Sequence, residues 1–296
     1  MIPVFYRPEQ SCDDAVRVSP SAGKPALVIA DWTSNSSISS SIEVKSFEPA
    51  STEALYGAHS TSYVDSVLSC QRSNGFGTKS ARIAASLRYT TGSMMAAATH
   101  VLSNRAAGLN VAVSPTSGFH HAGYSDGGGF CTLNGLMASA IHVHSLGLAD
   151  KILIVDMDQH YGDGTDDIIQ ELGIDYVDHI TANKSYRTAA QALKCCELNT
   201  VQQQQYDLVL YQAGADMHVD DPLGGLLTTE QMRQRDRSIF SNCVRLNIPI
   251  VWNLAGGYQR DEKGGIEPVL ALHRNTMTAC IGGIRMAMSG ATSLAA

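Results

Sequence analysis

Apolar residues in this chain follow two periods. Unbroken runs rich in Val, Ile and Leu, bounded by Gly, Asp or Asn, lie at residues 3–6, 110–114, 152–155, 208–212 and 248–253, with a weaker run at 175–177. Runs of that length and composition predict buried strands. Between them, apolar residues three and four apart predict helices over 91–103, 133–146, 165–172, 229–246 and 266–285. The serine-rich stretch 34–41 is expected to be a loop, and residues 289–296 a flexible tail. Strands alternating with helices imply βαβ units, hence an α/β fold: one domain over residues 1–296, with a parallel sheet flanked by helices on both faces. Such sheets bind ligands beyond the C-terminal ends of their strands. The polar residues that follow each apolar run therefore carry the most information.

The run at 152–155 leads into DMDQHYGDGT. Asp156, Asp158 and His160 are spaced by two, which puts them on one side of an extended chain. Carboxylates and imidazole are the ligand set of hydrolytic zinc or iron. The run at 208–212 leads into QAGAD, which brings Asp216 to a second strand end. Alone, Asp216 could be a helix cap; two strand ends delivering carboxylates to one crevice favour a metal. Three protein ligands, Asp158, His160 and Asp216, would leave a coordination position open, as catalytic metals require. GFHHA follows the run at 110–114. Its adjacent histidines, His120 and His121, would point in alternate directions if extended, which suits a base and an acid beside a metal better than two ligands. LAGGY follows the run at 248–253. Tyr258 could donate to a developing oxyanion there, or simply pack over a glycine turn. Asp163 could cap the helix that follows it.

Bulk properties narrow the classes. The net charge is −7, without a run of Lys or Arg, which argues against nucleic acid. Hydrophobic residues make up 44% of the chain and charged residues 17%, ordinary values for a soluble globular protein. No stretch approaches the ~20 apolar residues of a membrane span. Seven cysteines without a CxxC pair fit a reducing compartment, and the N-terminus lacks the pattern of a signal peptide. The expected location is cytoplasmic.

Taken in chain order, GFHHA, GGGFCTLN, DMDQHYGDGT, QAGAD with DPLGG, and AGGY resemble the histone deacetylase and acetylpolyamine amidohydrolase family. The resemblance covers most of the chain from about residue 50 onward. It implies the arginase/deacetylase-like fold and residue roles. Asp158, His160 and Asp216 match zinc ligands, with Fe2+ an alternative ion. His120 and His121 match the tandem catalytic histidines, and Asp156 and Asp163 their carboxylate partners. Tyr258 matches the tyrosine that polarises the acyl carbonyl. Phe130 and Gly129 match the wall of an acyl-lysine tunnel, and Tyr186 is the candidate for its second aromatic. Asp156, Asp158 and the His160 backbone match a structural potassium site. The implied reaction is hydrolysis of an N-acetyl amide, in acetyl-lysine or in an acetylated polyamine or small amine.

Several positions depart from the family pattern. Tyr161 replaces a common second histidine, giving HYG, where a tolerated change away from the metal is expected. SPSAGKP stands where an HPE-type sequence is usual, and an arginine that lines an acetate-exit channel in the family has no assigned counterpart. GFGTKS has Gly77 near the place of a rim aspartate that grips substrate backbone. The 178–208 stretch is short, which predicts a trimmed pocket wall, and its VQQQQ run reads as a helix or polar connection. Two rival readings are a two-manganese ureohydrolase, for which a GGDH-type ligand is missing, and a non-catalytic acyl-binding module, which would be expected to have lost a ligand or the tyrosine. The sequence leaves acyl chain length and oligomeric state open; it has no long insertion of the kind that pairs acetylpolyamine enzymes.

Overall fold

The computed structural model describes residues 1–105, 110–198 and 205–293, the side chains of 285–293 excepted. Seven strands, all parallel, form one sheet among the described residues: β1 (Ile2–Phe5), β2 (Ile42–Lys45), β3 (Val111–Ser114), β4 (Ile152–Asp156), β5 (Val177–Ile180), β6 (Leu208–Gly214) and β7 (Ile250–Ala255). Their order is β2-β1-β3-β7-β6-β4-β5. The helices are α1 (Lys24–Ser34), α2 (Ser36–Ser39), α3 (Thr52–Tyr56), α4 (Thr61–Leu68), α5 (Ala81–Ser103), α6 (Gly135–Ser145), α7 (Asp163–Glu171), α8 (Ala189–Cys196), α9 (Thr229–Arg245) and α10 (Glu267–Ser293).

The central strands are buried on both faces, as their unbroken apolar runs require. Val28, Trp32, Tyr211, Phe240 and Trp252 pack on one face of the sheet, and Phe5, Leu136, Ile154, Leu210 and Val251 on the other. The sheet and the helices on both faces thus agree with the expected α/β architecture.

Several elements differ from their sequence reading. Stretch 34–41 contains α2, because Asn35 caps it by accepting the Ser37 N–H at 3.1 Å. Helix α5 begins ten residues before its expected start, where Ser80 caps the Ile83 N–H at 3.2 Å. Strand β5 starts two residues later than the apolar run at 175–177 and ends at Ile180, since Asp178 and His179 mask its pattern. Strand β2 is a half-exposed edge without an apolar run, so periodicity alone misses it. Helix α10 runs on to Ser293, past the start of the expected tail. Most of the VQQQQ run lies outside the described residues. No helix among the described residues is long and apolar enough to cross a membrane.

Register decides what the sheet can do. Asp156 on β4 pairs with Gln212 on β6, which pairs with Asn253 on β7. The three strands therefore end within two residues of one level, and the loops beyond them open onto a common crevice.

Candidate active site

Beyond the ends of β4 and β6, Asp158, His160 and Asp216 come together with one potential ligand atom from each lying within 4.8 Å of the others. His160 Nδ1 is 2.9 Å from Asp158 Oδ1 and 3.0 Å from Asp216 Oδ2. Both carboxylates are buried. Burial and the neighbouring Asp158 push the Asp216 carboxyl up to about 8, because two anions at this spacing cannot both be ionised cheaply. Hydrogen bonds to the same two carboxylates raise His160 to about 11. A proton on His160 thus stands where the cluster needs positive charge. Two carboxylates and an imidazole around one such point are a donor set that fits a divalent ion of the zinc or iron type. Gly256 sits at φ +48°, and a Cβ there would lie 2.3 Å from the Asp216 carboxylate, so the AGGY turn needs glycine to close over this side chain.

The tandem histidines occupy a turn after β3, with ring centroids 4.1 Å apart. His120 is buried. Its Nδ1 lies 2.6 Å from Asp156 Oδ2, and its Nε2 3.6 Å from Asp158 Oδ1. Burial alone would lower its pKa, but Asp156 and Asp158 raise it to about 9. His121 lies nearer the surface, with Nδ1 2.6 Å from Asp163 Oδ1. Burial and the charge of His120 lower its pKa. Asp163 also accepts the Gly164 N–H at 3.0 Å in the first turn of α7, so it acts at the helix terminus and as a histidine partner together. Gln212 braces the assembly, donating to Asp156 Oδ1 at 2.9 Å and accepting the Phe119 N–H at 3.0 Å.

Ser21, Ser117, His120, Phe130, Asp158 and Tyr258 line one pocket. The Tyr258 backbone N–H is held by Asp221 Oδ2 at 2.7 Å, which gives the DPLGG segment a structural purpose. The phenol is largely buried; burial and the charges of Asp158 and Asp216 raise its pKa far above the usual value, so it remains a neutral donor. Phe130 faces Tyr258 with centroids 5.6 Å apart and Phe76 with centroids 5.8 Å apart. Gly129 is at φ +52°, and a Cβ there would lie 2.4 Å from the His121 ring. A second cavity, of about 50 Å³, adjoins this pocket along Ser21, Ser117, Gly118 and Phe130.

Sequence reasoning missed two residues here. Phe76 lies in an aperiodic loop that gave no signal. Lys24 did give one: Lys24, Val28 and Trp32 are four apart and all face the core from α1. The fully buried Lys24 ammonium donates to the Gly256 carbonyl, beside the Asp216 carboxylate. SPSAGKP therefore brings a cation under the site although it has no arginine.

Tyr186 is not where the tunnel aromatic was expected. It is 2% exposed, beneath the site rather than along the pocket, and its hydroxyl lies 3.0 Å from the Asp156 carbonyl and 2.9 Å from that of Asp158. In the short segment after β5, Tyr186 turns inward while Asn183, Lys184, Ser185 and Arg187 face solvent. Asp156 Oδ1 already accepts from Gln212 and from the Asp158 N–H at 3.2 Å, and Oδ2 from His120 and, at 3.4 Å, Thr181 Oγ1. A potassium ion needs several oxygens turned toward one point. Protein donors already hold the Asp156 carboxylate, and the single Tyr186 proton serves the carbonyls of Asp156 and Asp158, so the oxygens of these two residues do not fit that ion. Tyr161 is exposed, and its hydroxyl donates to Asp166 at 2.7 Å rather than to Asp158, His160 or Asp216.

A sequence model described as the histone deacetylase domain matches residues 24–183 and 176–266. An uncharacterised protein of Picosynechococcus sp. is 30% identical over 188 residues, 55% of this chain and 61% of that protein. Histone deacetylase 2 of Arabidopsis thaliana is 28% identical over 180 residues, 50% of this chain and 44% of its own length. The chain thus matches 44% to 61% of the length of these relatives. The crystal structure of an acetylpolyamine aminohydrolase from Burkholderia pseudomallei superposes with a TM-score of 0.68 at 17% identity, covering 95% of this chain and 98% of that one, which establishes a shared fold. With the family match spanning most of its length and the strand-end residues assembled at one crevice, the chain belongs to the histone deacetylase family.

Proposed function

We propose that this chain is a metal-dependent amidohydrolase that cleaves an N-acetyl amide to acetate and a free amine. The carrying observation is the convergence of Asp158, His160 and Asp216 beside His120 and Tyr258 at one pocket. Asp158, His160 and Asp216 would hold zinc, which when bound supplies a Lewis acid for the carbonyl and a water with a pKa near ~7. The chain's own groups would do the rest. Phe130 and Tyr258 present aromatic faces that suit the methylene arm of an acylated amine. His121, whose pKa is lowered, is the group available to take a proton from water. His120, held charged by Asp156, supplies positive charge beside the reacting amide, and a histidine proton reaches the leaving nitrogen, which is too basic to depart as an anion. The neutral Tyr258 phenol donates to the oxyanion as it forms.

Two substrate classes fit this chemistry: acetyl-lysine in proteins and small acetylated polyamines. One observation favours the second. Beside His121, an open hollow of about 440 Å³ is lined by glycines and by Asp126, Asp163 and Asp167, without a Lys or Arg, which suits a substrate carrying further ammonium groups. The test compares hydrolysis of an acetyl-lysine peptide and an acetylpolyamine by wild type and Tyr258→Phe. The substitution is expected to lower kcat by ~10²–10³ on whichever substrate is cleaved. An unchanged rate would remove Tyr258 from the chemistry. Two tightly bound manganese ions per chain would point instead to a ureohydrolase. A zinc-loaded protein inert toward all acylated amines would support a binding module.

A further inference from the structure

The segment Asp156–Met157–Asp158 carries two functions, since Asp156 orients His120 and Asp158 is a metal-ligand candidate. Something must fix its backbone, because consecutive carbonyls beyond a strand end lose their ladder partners and are costly to bury unpaired. Here the partner comes from the short segment after β5. A tight turn closes through the Ser185 N–H on the Thr181 carbonyl at 2.9 Å and the Asn183 N–H on the Tyr186 carbonyl at 2.8 Å. Asn183 takes φ +62° in it, a conformation asparagine tolerates better than most residues. The turn drives the Tyr186 ring into the core among residues that include Met157 and Ala182. The phenol oxygen then lies within hydrogen-bonding distance of two carbonyls of the catalytic segment at once.

We propose that Tyr186 is a positioning residue whose hydroxyl braces the Asp156 and Asp158 carbonyls in place of an internal monovalent cation, so that the site is built without potassium. Its one proton is shared between two acceptors that a cation would otherwise have to draw together. The Asp156 carboxylate, the remaining anionic oxygen source at this corner, is already satisfied by Gln212, His120, Thr181 and the Asp158 N–H. Burial, with Asp156 and Asp158 nearby, keeps the phenol neutral and donating.

This inference rests on the reading that Asp158, His160 and Asp216 hold the metal, and two measurements separate the claims. The first is thermal unfolding of wild type in KCl and in NaCl at equal ionic strength. The expected result is the same midpoint in both salts; a saturable, potassium-specific rise would overturn the proposal. The second is zinc affinity by chelator competition for wild type and Tyr186→Phe, with circular dichroism as a check of folding. Losing an outer-shell brace of this kind typically weakens metal binding by ~10–100-fold, and that loss is expected here. An unchanged affinity would show that Tyr186 only fills space. If the variant fails to fold, the salt comparison on wild type decides. A wild type that binds no zinc would defeat the proposed function while leaving the salt comparison intact.

Discussion

Arg235 offers the sharpest test of how the scaffold supports the site. It is fully buried on α9, and its guanidinium links the two strand ends that carry the candidate ligands. Nη1 donates to the Gly214 carbonyl at 2.6 Å and reaches that of Met157 at 3.4 Å, while Nε lies 2.8 Å from Asp236 Oδ1. Asp236 also accepts from Tyr211 and, at 2.6 Å, from Thr276. Arg235→Met keeps much of the volume and removes every one of these donors. It leaves a buried carboxylate with two hydroxyl partners and no counter-charge, a change that costs about 3–5 kcal/mol. Against a total stability of about 5–15 kcal/mol, that is a large fraction.

The assay is equilibrium urea unfolding followed by tryptophan fluorescence, since Trp32 and Trp252 are both buried and pack at 5.6 Å. With a slope of about 3 kcal/mol per molar urea, the midpoint should fall by about 1–1.7 M. Asp236→Asn in the same background should cost less than it does alone, because the charge left unpaired is then gone; a coupling of about 1–3 kcal/mol is expected. A loss under about 1 kcal/mol, or strictly additive costs, would refute the idea that this pair anchors the strand ends.

Other outcomes follow from the same geometry. Stripping the metal with a chelator should abolish hydrolysis, and restoring zinc to one hundred times its Kd should stabilise the fold by about 2.7 kcal/mol, read as a rise in Tm. Asp156→Asn should lower kcat more than Asp163→Asn, because the first partner is buried and the second largely exposed; equal losses would dissociate burial from function. Burial lowers Lys24 from 10.5 to about 8. The unfolded chain therefore holds that proton more tightly, and the cost of burying the charge is fully present below about pH 8. The Lys24 contribution to the stability of the metal-stripped protein should then rise between pH 8 and 10.5 by about 3 kcal/mol, read as wild type minus Lys24→Met because His160 loses stabilisation over the same window. Lys24→Met should lack that rise, as measured by unfolding across the pH window.

What could be read from the sequence follows from how strongly each segment's surroundings dictate its residues. Strands β4, β6 and β7 are buried on both faces, so their apolar runs are unbroken and their ends are marked by Asp156, Gln212 and Asn253. Asp158, His160, Asp216, His120, His121 and Tyr258 follow such runs directly, which is why they were legible. Edge strand β2 was not, and the polar-faced β5 only at its first residue, because half of each strand's pattern answers to solvent or to Asp166 rather than to the core. Arg235 and Asp236 stood in plain view among Met232, Ile239, Phe240 and Cys243 on the buried stripe of α9, where charge has no place without a partner. Tyr186 was misplaced for a different reason. The family resemblance implies an aromatic near the site, but only the turn through Asn183 decides whether the Tyr186 ring faces the pocket or the core.

The two histidines show how such local differences could divide a reaction. With ring centroids 4.1 Å apart, they cannot both carry charge cheaply. Their carboxylate partners break the symmetry. Asp156 is buried with no solvent to screen it, so it holds the proton on His120; Asp163 is largely exposed, and its pull on His121 is weakened by water. Paired titratable groups driven apart in this way are how one site can hold an acid and a base at the same pH. On the proposed reading, His121 is the base because its partner lies in water, and His120 retains its proton because its partner does not. Moving a carboxylate between those environments would then exchange the roles without touching either histidine.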